Sequence, residues 1–141
     1  MADFLFNSFW DDKDRGNIIL TTHTFQVMLI NAAGVAAANK DTWAKRSDVT
    51  SYEITATGYT AGGAVSAVTV AQDLATDRQI ATFATVTWTS FTGSSAGAIF
   101  YRARGGAASA DELVGIKDFG GVIALTSSPM VIANSIITLQ N

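Results

Sequence analysis

Apolar and polar residues alternate at period two along much of the chain. "TVTWTS" (85–90) sets Val86 and Trp88 against Thr85, Thr87 and Thr89, as in a strand with one buried face. "SYEITATG" (51–58) sets Tyr52, Ile54 and Ala56 against Glu53, Thr55 and Thr57. "TFQVMLIN" (24–31) is nearly unbroken apolar sequence, which predicts a buried strand. Further strands are predicted over 64–70, 78–91, 96–104, 112–119, 122–125, 130–133 and 135–139. β-branched residues and threonines are plentiful, as suits a pleated, half-buried surface. Pro129 falls between two of these strands, where a missing donor does least harm. The pattern predicts an all-β chain, an antiparallel β-sandwich or a jelly-roll-like small barrel.

"GYTAGG" (58–63) reads as the turn of a hairpin joining 51–58 to 64–70, its glycines taking positive φ. One short helix is predicted over 39–49, with Asp41 as its N-cap and Trp43 turned to the core. "AAGVAAA" (32–38) is a brief low-complexity tract. Residues 1–20 read as an N-terminal aromatic arm, with 6–16 either a turn of helix or extended, and 21–141 as a single sandwich domain. Phe4, Phe6, Phe9 and Trp10 precede any clear core strand. They are expected either to fold back onto the domain or to lie on a neighbouring subunit.

The length of 141 residues fits one domain with a real core. No cysteine is present, which excludes a disulfide framework and thiolate metal sites. The first residues lack a basic stretch followed by a long apolar one, so no signal peptide is expected. No apolar run approaches the roughly 18 residues of a spanning helix, and no membrane partner is expected.

Nine basic and twelve acidic residues give a net charge of −3. Lys40, Lys45 and Arg46 form the densest basic group, with Asp41 and Asp48 among them. A basic stripe that would release counterions from a nucleic acid is missing, so no nucleic-acid partner is expected. Charged residues make up 15% of the chain and mean hydropathy is +0.25, against about 25% charged in typical soluble domains. Such a surface is expected to meet other subunits rather than water alone.

Candidate chemistry is thin. His23 is the single histidine, and nothing pairs it with a nucleophile and an orienting acid. It reads as a surface or edge residue. "DDKD" (11–14) lacks the sixth-position glycine and distal glutamate of a calcium loop. "GYTAGG" leads into no helix, which excludes a phosphate cradle. Arg102 and Arg104 share one strand face, as a solvated strand end or a contact for an acidic partner. No catalytic, cofactor-binding or metal-ligating residue is predicted, and enzymatic activity is not expected.

The order of segments carries more than any one residue. "TGYTAGGA" (57–64), "VTWTSFTGSSAGAIFYRA" (86–103), "ELVGIKDFGG" (112–121) and a closing "SIITL" (135–139) together resemble a group of small structural proteins of tailed bacteriophages. The resemblance spans about residues 25–139. It implies a non-enzymatic virion component, assembled in the host cytoplasm, of the capsid decoration (cement) type or of the neck or tail. It also implies a homo-oligomer, such as a trimer, bridging major coat protein subunits or binding other virion proteins. The tail departs from the group's pattern, since 122–139 lacks the expected tryptophan strand. On this reading the interface residues are Phe4, Phe6, Phe9 and Trp10 of the arm, Tyr59, and the threonine face of the 51–70 hairpin, Thr55, Thr57 and Thr69. A carbohydrate- or receptor-binding module is the rival, and it requires exposed aromatics at Trp10, Tyr59 and Tyr101.

Overall fold

The computed structural model describes residues 3–140. Its elements are β1 (Phe4–Leu5), α1 (Asn7–Asp14), β2 (Phe25–Ile30), α2 (Ala32–Ala37), β3 (Ala64–Val65), β4 (Val68–Asp73), β5 (Arg78–Phe83), β6 (Val86–Arg102), β7 (Leu113–Ile132) and β8 (Ser135–Gln140). Short 3₁₀ turns lie at Arg46–Asp48, Thr50–Tyr52 and Ala108–Ala110. Two antiparallel sheets, ordered β1-β7-β6-β2-β3 and β4-β5-β8, face one another as a sandwich. Neither sheet closes into a barrel, so the barrel alternative falls away.

The predicted strand 24–31 is β2, and its unbroken apolar run has a physical cause. The larger sheet is covered on both faces. On one face Phe25, Val27 and Leu29 meet Phe83, Phe100 and Trp88 between the sheets. On the other, Met28 and Ile30 pack with Phe6, Val49, Ile99, Leu113 and Ile116. A strand buried on both sides has no polar face to display.

Strands expected to be separate are fused. Residues 86–102 run as one strand, and 113–132 as its partner. Bulges reconcile the long pairing. Between Ser95↔Ile123 and Gly97↔Asp118, β6 advances two residues and β7 five. The three extra residues push the 119–122 stretch outward, and Gly120, Gly121 and Val122 stand exposed. Bulges of this kind bend a strand and end its regular pairing locally.

Two expectations fail. Residues 51–58 are no strand: a 3₁₀ turn ends at Tyr52, and isolated bridges Ile30↔Glu53 and Thr57↔Thr92 follow. The stretch is a strap laid across β2 and β6, and 64–70 pairs elsewhere, β3 with β2 and β4 with β5. Glycine permits the close approach. A Cβ at Gly63, φ +80°, would stand 1.7 Å from the Val27 carbonyl oxygen, and one at Gly58, φ +79°, 2.2 Å from that of Ser90. The helix expected over 39–49 is also absent, and Asp41 caps nothing helical. Turns and the 3₁₀ segment replace it, with the Asp48 carboxylate accepting from the Ala44 and Lys45 amides at 2.9 Å each. Two helices form instead, α1 within the arm and α2 in the alanine tract, the latter capped by Asn31 accepting from the Gly34 amide.

Candidate interaction surface and the charged end of the sandwich

The structure spends charge at one end of the molecule. There the β6–β7 connection brings Asp111 and Glu112 beneath the turns that hold Lys45 and Arg46. Backbone bonds fix the meeting: Arg46 N donates to the Asp111 carbonyl at 2.9 Å and Leu113 N to that of Ala44 at 3.0 Å. Both carboxylates are buried. Arg46 Nε lies 2.7 Å from Asp111 Oδ2, and Asp111 Oδ1 accepts from the Arg104 amide at 2.9 Å. Glu112 receives Arg104 through Nε at 3.0 and 3.1 Å and Nη2 at 2.6 Å, and Lys45 Nζ at 3.2 Å.

Burial alone would raise the Glu112 carboxyl, yet hydrogen bonds from Arg104 and Lys45 outweigh it and hold it below its ordinary range. Arg102 donates through Nη1 to the Asn17 carbonyl, tying in the chain after α1. The Arg46 guanidinium stands 5.2 Å over the Tyr101 ring. Arg102 and Arg104 are therefore not a free, solvated strand end, because Glu112 of their own chain engages both.

His23 serves the same end. Its Nδ1 accepts from the Ile19 amide at 2.9 Å. Burial, with Arg102 and Arg104 nearby, lowers its pKa, which keeps that nitrogen an acceptor.

Glu53, the single charge of the 52–70 stretch, organises the strap. It accepts from the Tyr59 hydroxyl at 2.7 Å and the Gly62 amide at 2.6 Å. Tyr59 in turn accepts from the Leu29 amide at 3.0 Å, so a side chain replaces a ladder bond β2 lacks there. Burial, then the Glu53 bond, raises the Tyr59 phenol far above its ordinary value. Tyr101 is buried, its hydroxyl 2.6 Å from both Gln26 Oε1 and the Gly62 carbonyl, and burial pushes its pKa up to about 12.

The residues expected at an interface separate into two groups. Phe6 and Phe9 are fully buried in the chain's own cores, which removes them from the candidate surface. Apolar side chains so close to β7 and β2 gain more by joining that core than by waiting for a neighbour. Phe4 is half-buried against Phe6, and Trp10 is 43% exposed. Thr55, Thr57 and Thr69 are exposed, but the hairpin that would align them on one face does not exist. Tyr59 and Tyr101 are held inward by the bonds above, so the three-aromatic platform of a carbohydrate module does not assemble.

What periodicity did not single out is a neutral, apolar surface. Residues 79–101 and 119–141 contain no charged residue. Val122, Ile123, Val131 and Ile136 lie on this stretch and are exposed. An apolar cleft of about 390 Å³ opens between β8 and β1, lined in part by Phe4, Phe83, Phe100, Ile116, Ile136 and Ile137. Among the described residues no three of His, Asp or Glu stand together as a metal site, and no helix is long and apolar enough to cross a membrane.

No family model matches the chain, and neither a curated protein nor a solved structure matches it.

Proposed function

We propose that this chain is a non-enzymatic structural subunit of a tailed-bacteriophage virion, a head decoration protein that self-associates and bridges major coat subunits. One observation carries the reading. The chain turns a charge-free β-surface outward while Lys45, Arg46, Arg102 and Arg104 are drawn into ion pairs with the buried Asp111 and Glu112. A surface without charge is buried against a partner at low desolvation cost, whereas the ion pairs fasten loops at the opposite end of the β6–β7 pair. The order of segments resembling small phage structural proteins supplies the location.

Copy number on purified virions tests it, by quantitative mass spectrometry against the major coat protein. Copies in proportion to coat subunits support decoration. A handful of copies moves the chain to the neck or tail. Finding none overturns the virion reading.

A further inference from the structure

We propose that the free edge of β8 joins two copies of this chain by antiparallel pairing with its own counterpart. The inference rests on the self-association in the reading above, not on the virion location. It makes that association two-fold.

β8 ends the smaller sheet. It pairs with β5 on one side, and no described strand lies on the other. Proteins blunt such edges with lysine, proline, a bulge or extreme shortness. β8 has none of these. It runs six residues, Ser-Ile-Ile-Thr-Leu-Gln, pairs with β5 without a register shift, and carries no charge. Its backbone is a template for one more extended strand.

The flank beside it is also open. The apolar cleft separates β8 from β1, the edge of the larger sheet. Ile136, 65% exposed, stands at its rim. Both sheets therefore end at the same side, and one two-fold axis there would extend both.

Charge selects the occupant. Ile137 and Leu139 point into the core while Ile136 and Thr138 point out. Antiparallel partners share a face, so a matched self-pairing centres on Ile137 or Thr138. Centred on Thr138, it sets Ile137 against Leu139 of the second copy. Centred on Ile137, it sets Ile136 against Thr138 of the second copy. No like charges meet in either register. The cleft walls add one acid, Asp3, and one base, Lys117, a neutral pair complementary to its own image under a two-fold. A strongly acidic or basic peptide would find no matching field.

The test is sedimentation velocity over a concentration series on the full chain, with Ile136→Lys and Thr138→Lys, and Leu74→Lys as the control at an exposed site off β8, in the turn joining β4 and β5. The expected result is a wild-type and Leu74→Lys dimer, with both β8 variants monomeric and still folded by circular dichroism. Should a lysine variant fail to fold, oxidation of Thr138→Cys gives a second readout, because the chain has no other thiol. A disulfide-linked dimer then supports the pairing. An oligomer that survives both lysines overturns the β8 edge and leaves self-association standing. A wild-type monomer throughout overturns both, without bearing on copy number in a virion.

Discussion

The two ends of the β6–β7 pair are built on opposite plans. At one end Arg102, Arg104, Asp111 and Glu112 lie within a few residues of the connection, and every one has an ionic partner. Toward the other end, 86–101 and 119–132 contain no charge at all, and Val122, Ile123 and Val131 face outward. The difference teaches what charge does in this chain. It fastens segments distant in sequence, Lys45 to Glu112 and Arg46 to Asp111, and is absent from the exposed apolar stretch of β7.

Removing a fastening should show the largest effect. Glu112→Ala strips Arg104 and Lys45 of their shared partner, and losing hydrogen bonds to a buried charged group costs about 1.5–3 kcal/mol, since the two freed cations are partly exposed and regain water. Val131→Ala, on the neutral stretch, is expected within about 0.5 kcal/mol of wild type. Urea unfolding midpoints of the two variants measure the contrast, and equal losses would erase it.

Acid should weaken the charged end. The Glu112 carboxyl titrates lower in the folded chain than in the unfolded one, so folding favours the carboxylate. The stabilisation is complete above about pH 4.3, the unfolded value, and is lost as pH falls through the folded value. The gap in stability between wild type and Glu112→Gln is expected to close across that window. A gap independent of pH would assign Glu112 a packing role.

A smaller effect is expected at His23. Its folded pKa is lowered, so its contribution is present above about pH 6.5 and fades as pH falls through the folded value. Protonation removes the acceptor of the Ile19 amide. The protection of the Ile19 amide against exchange, relative to its intrinsic rate at each pH, should fall in that range, with little change in β2.

These contrasts also mark what the sequence could reveal. The β2 run was legible because two-sided burial leaves a local apolar signature. Trp88 and Val86 were legible as inward residues by alternation, and both are buried. Alternation over 51–58 misled because burial at period two does not require a ladder. Ile54 does face the core, but the strap is tied by Glu53, Tyr59 and two glycines. The 39–49 helix failed because Lys45 and Arg46 answer to acids 67 and 65 residues away, beyond any local window. Arg102 and Arg104 were placed on one strand face without the carboxylates that meet them. The neutral surface was visible as missing charge, but its location followed only from the fusion of five expected strands into β6 and β7.

The smallest expected effect on stability is the one that bears most on function. Val122 is 60% and Val131 51% exposed, so Val122→Asp and Val131→Asp should change unfolding free energy by no more than about 0.5 kcal/mol. In an assembly that covers this surface, the same carboxylates must be stripped of water without a countercharge, which costs far more than burying valine. Binding to coat particles is therefore expected to fall sharply for both variants, while Glu112→Gln, once folded, binds as wild type. Undiminished binding by both aspartate variants would mean that the neutral stretch faces solvent in the assembly, and that its lack of charge serves something other than contact.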